Sequence, residues 1–342
     1  MADVNRQWVL KSRPSGMVSE SCFEWREAPM PEVAEGGVLV RNLYLSFDPA
    51  MRGWIVDRPS YIPPVQIGEV MRAGAVGQVV ESRSSEFKVG DYVQGTFGWQ
   101  DHCAASGSGP LGLSRVPEGV DPLLSLSVLG ITGLTAYFGL LDLGQPKAGE
   151  TVVVSGAAGA TGSVAAQIAR IRGCRTIGIA GGREKCRWLL ERARLDGAID
   201  YKGESVPKRL AELCPNGVDV YFDNVGGEML DAVLARLAMK ARVVLCGGIS
   251  AYNEIEPPPG PRNLMMLVGQ RARMEGFIIV DYVARFPEAI PELLAWVESG
   301  EIAYEEDIQE GLENAPATFL RLFEGKNLGK QLLRIADPLI EE

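Results

Sequence analysis

Histidine is almost missing from this chain, with His102 the only one in 342 residues. A catalytic zinc needs three clustered nitrogen, sulfur or oxygen ligands, so no metal centre is expected, even though Cys103 follows His102 directly. The two alternate along an apparent strand and should face opposite ways. The same scarcity argues against a Ser–His or Cys–His nucleophile, and no G-x-S-x-G marks a strand-to-helix turn. The six cysteines, at 22, 103, 174, 186, 214 and 246, are dispersed with no C-x-x-C pair. That spacing reads as reduced intracellular thiols. No apolar run approaches the roughly 18–20 residues of a membrane span. The opening MADVNRQWVLKSRPSG lacks the apolar core of a secretory signal, so a cytoplasmic protein is expected. Basic charge is also wanting. At a formal net charge of −10, neither nucleic acid nor an anionic membrane is an expected partner. Any bound phosphate must rely on local cations.

What the chain does have is length enough for about two domains, 46% hydrophobic residues, and one informative string. The run TVVVSGAAGATGSVAAQIA at 151–169 reads as a β-branched strand, a glycine turn and an amphipathic helix. Gly156, Gly159 and Gly162 let the chain turn sharply, bring bare amides against a pyrophosphate and pack helix on strand. The anion would sit at the helix N-terminus, where unpaired N–H groups and the positive dipole end converge. With 40 glycines in the chain such a string is weak alone; its place between strand and helix makes it specific.

A second strand, RTIGIA at 175–180, is followed by GGREK at 181–185. NAD sites place an acid at this strand's end to accept from the ribose 2′-hydroxyl. Here stand small residues followed by Arg183 and Lys185, which leave room for a 2′-phosphate and offset its charge. Glu184 fits a helix N-terminal position better than a ribose contact. The cofactor expected is NADP(H).

Residues 1–126 read as β-rich, with short alternating runs at 38–44 and 77–81 and a turn into a strand at 88–95, the pattern of a small barrel. From 127 to 305 strands and helices alternate, with later strands expected at 218–222, 242–246 and 276–280, which argues for a doubly wound parallel sheet. The chain closes with a helix at about 316–323 and a strand at 329–335. With no helix after it, that strand could return to the first domain as a barrel edge, so 306–342 completes residues 1–126. The tract EPPPGP at 256–261 cannot be regular structure and reads as a stiff loop past a strand's carboxyl end.

These motifs together resemble the medium-chain dehydrogenase/reductase superfamily, and within it the zinc-free prostaglandin reductase and curcumin reductase branch of alkenal/one double-bond reductases. The resemblance covers nearly the whole chain. It is carried by LSFDPAMRG at 45–53, SYIPP at 60–64, VGDYV at 89–93, the glycine turn at 156–162, YFDNVGG at 221–227, CGGISAYN at 246–253 and GKNLGK at 325–330. It implies an α/β chain with a GroES-like β-barrel domain plus a Rossmann domain, and a homodimer, for which 276–280 offers a sheet edge. By resemblance, Gly159, Ala160, Thr161 and Gly162 hold the pyrophosphate, while Lys185 and Tyr201 hold the 2′-phosphate. Asn224, Cys246, Gly247, Ile249 and Tyr252 line the cofactor, Phe277, Ile278 and Ile279 flank the nicotinamide, and Asn327 closes over it. Ala50 stands where many relatives carry Tyr, and Trp54 where they carry Arg. Both positions face the substrate by analogy, so a wider and more apolar pocket mouth is implied.

The implied reaction is hydride transfer to the β-carbon of an α,β-unsaturated aldehyde or ketone, with charge building on the carbonyl oxygen. Without zinc, that oxygen needs donors aimed at it, and a tyrosine hydroxyl, neutral at pH 7, suits the task. Tyr252, following a strand and a Gly-Gly turn, is the first candidate. Tyr61, on the proline-bounded loop, is the second, as a substrate-orienting or proton-relay hydroxyl. Two other readings stay open: a zinc-free quinone reductase, and a protein that binds NADPH without turnover.

Overall fold

The computed structural model describes residues 4–107 and 112–339. The chain divides into two compact units. One runs to Ser127 and resumes at Glu306, and the other extends from Val128 to Glu305.

The second unit is built on a six-stranded parallel sheet in the order Gly197–Asp200, Arg175–Ala180, Thr151–Ser155, Val218–Asp223, Leu237–Leu245, Arg273–Gly276. The strand Thr151–Ser155 is buried at every residue and its neighbours nearly so. Such continuous apolar runs are what a parallel sheet covered on both faces requires. The helices Ala160–Ile171, Arg183–Glu191, Val206–Leu213 and Gly227–Leu234 form the crossovers. The chain steps from Thr151–Ser155 toward one edge, then from Val218–Asp223 toward the other. The point between these two strands is where an open sheet leaves a crevice at its carboxyl edge.

One expected strand is displaced. Residues 276–280 are not a strand: the ladder stops at Gly276, opposite Leu245, the last residue of its neighbour. With no strand beyond Leu245 to pair with, the apolar residues after Gly276 leave the sheet, and Ile279–Arg285 winds as a 3₁₀ helix. The sheet edge is therefore Arg273–Gly276. Residues 256–261 hold no regular structure, as their prolines require.

The first unit carries an antiparallel pair, Val4–Leu10 with Phe23–Pro29, and a larger sheet ordered Glu306–Glu310, Lys330–Arg334, Val38–Ser46, Gly74–Ser82, Tyr92–Thr96, Ser114–Arg115, with His102–Ala105 also pairing on Val38–Ser46. The terminal strand does return here, antiparallel to Val38–Ser46. The preceding helix is Ala315–Glu324. The core of this barrel-like unit gathers around Trp99, fully buried, with Phe23, Phe47 and Phe319 at ring separations of 5.0, 5.3 and 5.8 Å. Among the described residues no helix is long and apolar enough to cross a membrane.

Candidate active site

In the unit from Val128 to Glu305, the candidate site starts at the glycine turn. Gly156 adopts φ +59°, and the amide of Gly159 bonds back to its carbonyl at 3.0 Å. Gly162 packs so closely on this turn that a Cβ there would lie 2.3 Å from the Gly156 oxygen. The helix Ala160–Ile171 begins directly after Gly159, and its first amides have no partner within the helix. Gly159, Ala160, Thr161 and Gly162 thus form a main-chain cradle at a helix N-terminus, which suits an anion.

Beside the cradle, Asn224 donates its side-chain amide to the Ser155 carbonyl at 2.7 Å, and its main-chain N–H to the Ser155 hydroxyl at 2.9 Å. Behind it lies a group that sequence reasoning missed. The Asp223 carboxylate, 1% exposed, accepts from the Ser155 and Tyr221 hydroxyls at 2.8 and 2.7 Å and from the amides of Val225 and Gly226 at 3.0 Å. Burial and the neighbouring Asp223 hold the Tyr221 hydroxyl far above its ordinary pKa, so it stays a donor. The Asp223 carbonyl accepts from Cys246 and Gly247, and that of Asn224 from Ile249. One residue therefore joins the ends of three strands. The YFDN string is visible in the sequence, but its role as a hub is not.

The loop after Leu245 follows from that hub. The amide of Gly248 donates to the Tyr252 hydroxyl at 3.2 Å, which folds the tyrosine over its own Gly-Gly turn. Burial pushes the Cys246 thiol up to about 12, so it is no nucleophile. Phe277 directly follows the edge strand Arg273–Gly276. Its ring packs on Gly139, where a Cβ would meet it at 2.3 Å, and stands edge-on to Tyr282 at 6.2 Å. Ile278 and Ile279 continue beyond the sheet, half-buried.

At the end of Arg175–Ala180, no acidic side chain occupies Gly181 or Gly182. The Tyr201 ring fills the space beside Gly181, where a Cβ would come within 2.9 Å of it. Asp200 is a second residue that sequence reasoning missed. Its carboxylate accepts the Gly182 and Lys202 amides at 2.7 and 3.0 Å. The Gly182 bond is the main cause holding its pKa below the usual carboxylate value. Its negative charge is therefore tied to the main chain. Lys185 sits in the first turn of Arg183–Glu191. These residues fit a dinucleotide with a 2′-phosphate.

In the other unit, Ala50 caps the single turn Met51–Trp54. The Trp54 indole N–H donates to the Tyr61 hydroxyl at 2.8 Å, so two of the expected substrate residues are brought together. Arg72 stacks on the Trp54 ring at 5.8 Å and donates to the Pro63 carbonyl. Asn327 turns its amide onto the Gly329 carbonyl at 3.0 Å. Among the described residues, no three His, Cys, Asp or Glu side chains form a metal-ligand set.

A parallel sheet with a glycine turn at its switch point, and a barrel-like unit completed by the C-terminal strand, define a medium-chain dehydrogenase/reductase. The family described as the N-terminal domain of oxidoreductase matches residues 6–113, and the zinc-binding dehydrogenase family matches residues 160–299. The chain is 47% identical over 337 residues to the NADPH-dependent curcumin reductase of Escherichia coli, covering 97% of both chains. It is 39% identical to prostaglandin reductase 1 of Rattus norvegicus, over 96% of this chain and 98% of that one. The crystal structure of CurA from Vibrio vulnificus in complex with NADPH superposes with a TM-score of 0.92 at 44% identity, covering 97% of this chain and 100% of that one. The chain belongs to the zinc-independent curcumin and prostaglandin reductase branch of the medium-chain dehydrogenase/reductase superfamily.

Proposed function

We propose that this chain reduces the carbon–carbon double bond of α,β-unsaturated aldehydes and ketones with NADPH. Its similarity to reductases of curcumin, prostaglandins and 2-alkenals supports the substrate class, and the fit of the glycine cradle, Lys185 and Tyr201 supports the cofactor. The geometric observation that carries the chemistry is Tyr252, its hydroxyl held by the Gly248 amide at the carboxyl edge of the sheet.

When bound, NADPH would supply the hydride that the substrate's β-carbon takes up. The charge that builds on the carbonyl oxygen takes a hydrogen bond from the Tyr252 hydroxyl, whose position the Asp223 hub and the Gly-Gly turn fix before reaction. A donor held ready in this way lowers the barrier without reorganising. Tyr61, steadied by Trp54, orients the substrate or relays the proton that the α-carbon takes up. Gly159 to Gly162 hold the pyrophosphate through main-chain amides, and Lys185 and Tyr201 hold the 2′-phosphate. We further propose a cytoplasmic homodimer paired along the edge strand Arg273–Gly276, close in sequence to the exposed Met265 and Val268.

The test is NADPH consumption by the purified protein against enals, linear and cyclic enones, diarylheptanoids and benzoquinones, with NADH in parallel. Turnover of enones with a preference for NADPH is expected. Turnover of quinones alone would make it a quinone reductase, and cofactor binding without consumption across the panel would make it a binder.

A further inference from the structure

Two of the marker strings, LSFDPAMRG and GKNLGK, meet at a pair of charges that the proposed reaction does not use. The Lys330 side chain is 3% exposed and that of Asp48 24%, and the Lys330 Nζ lies 2.5 Å from Oδ1 of Asp48. The same ammonium donates to the Phe47 carbonyl at 3.3 Å, and the Ser46 hydroxyl donates to the other Asp48 oxygen at 2.9 Å. The Phe47 amide bonds to the Gln331 carbonyl at 3.1 Å. Both carboxylate oxygens are therefore engaged, and residues 46–48 are fastened to the terminal strand.

Stability alone gives no reason for this arrangement. A buried ion pair scarcely outweighs its desolvation, and apolar replacements of similar volume are often neutral or better. What charges and forked acceptors do provide is direction. Asp48 opens the turn that follows: its carbonyl accepts the Met51 amide at 3.0 Å, and that of Pro49 accepts the Arg52 amide at 3.1 Å. The turn winds Met51–Trp54, and Trp54 in turn holds Tyr61.

We propose that Lys330 and Asp48 are positioning residues for substrate recognition, the ion pair of the buried lysine with the half-buried carboxylate fixing the segment that presents Ala50, Trp54 and, through Trp54, Tyr61. The inference rests on the reading that this segment lines the substrate.

The variants to compare are Lys330→Met, the double variant Lys330→Met/Asp48→Leu, and Trp54→Ala. The readouts are enone KM and kcat at saturating NADPH, NADPH affinity by fluorescence titration, and thermal unfolding. Because Lys330→Met strands Asp48 without its partner, the double variant is decisive: it removes both charges and should keep its unfolding midpoint. It should still raise the enone KM about tenfold, as loss of a fixed geometry does, while NADPH affinity stays within about twofold. Trp54→Ala separates the two layers. An unchanged KM in Trp54→Ala would remove this segment from the substrate and undo the underlying reading. A raised KM in Trp54→Ala beside an ordinary KM in the double variant overturns the positioning role. So does a double variant that loses cofactor and substrate affinity in parallel, since the pair would then only hold the unit together.

Discussion

The unit from Val128 to Glu305 builds its candidate site largely from main chain: a glycine turn, helix amides, and strand ends stitched by Asp223. In the barrel-like unit the candidate substrate residues depend on side chains that meet across long stretches of sequence. Lys330 reaches Asp48 over 282 positions, and the Trp8 indole reaches the Leu312 carbonyl over 304. Main-chain cradles tolerate exchange of most side chains near them but not of their glycines. A segment held by single long-range contacts can be re-aimed by one substitution.

The largest effect expected tests the one side chain on which the proposed chemistry of the unit from Val128 to Glu305 depends. Tyr252→Phe should lower kcat by 10²–10³, about 2.7–4 kcal/mol, if the hydroxyl is the main oxyanion donor. NADPH binding should stay nearly intact, because the proposed anchors of the cofactor phosphates are the glycine cradle, Lys185 and Tyr201. A loss below about threefold in a folded variant would remove Tyr252 from the role.

Next comes the cradle itself. In Gly162→Ala the added carbon meets the Gly156 oxygen at 2.3 Å and its carbonyl carbon at 2.8 Å, both main-chain atoms that cannot swing aside. Overpacking of this kind costs about 1–3 kcal/mol, so NADPH affinity should fall by up to about a hundredfold. Gly159→Ala meets one atom, at 3.3 Å, and should be milder. Equal losses in a fluorescence titration would mean that backbone packing is not what sets the site. Smaller again is Lys185→Ala. Removing one charge-assisted contact to the 2′-phosphate should raise the KM for NADPH about five- to tenfold and leave NADH nearly untouched. Equal weakening of both cofactors would sink the assignment.

The same contrast decides what was legible in the sequence. The glycine turn, the strands at 151–155 and 175–180 and the missing acid after Ala180 are local patterns, and the chain shows them in order. The strand expected at 276–280 failed because an apolar run shows only that residues want burial. Where a ladder stops depends on the neighbour, and Leu245 ends it at Gly276. The Phe277 ring lies against Gly139, some 140 positions earlier, a contact that no local pattern announces. Asp223 lay inside a recognised string, but no local pattern reveals that its carboxylate will gather hydroxyls from two strands and amides from the turn that follows. Lys330 was the least legible, since a charge in sequence reads by default as solvated.

The barrel-like unit should also show its dependence on long-range contacts through acid. His102 is buried at 8% exposure, opposite Arg41 in the sheet, and its main chain is pinned by Asn5, which donates to its carbonyl at 3.0 Å and accepts its amide at 2.9 Å. Its Nδ1 has no hydrogen-bond partner among the described residues. Burial lowers its pKa from the ordinary 6.5; Arg41 and Arg6 push the same way, and Asp101 opposes them. As pH falls below about 6.5, the unfolded chain takes up a proton that the folded unit refuses. Folded stability should therefore decline toward the depressed folded value, by at most about 1.4 kcal/mol per pH unit for one group. Above about 6.5 this residue contributes no slope. Hydrogen exchange measured between pH 7 and about 5.5 should show peptides around 102–105 and 38–46 loosening before the parallel sheet does. In His102→Asn that early loosening should shrink. If both units loosen together, and His102→Asn changes nothing, then acid acts on carboxylates spread over the whole chain.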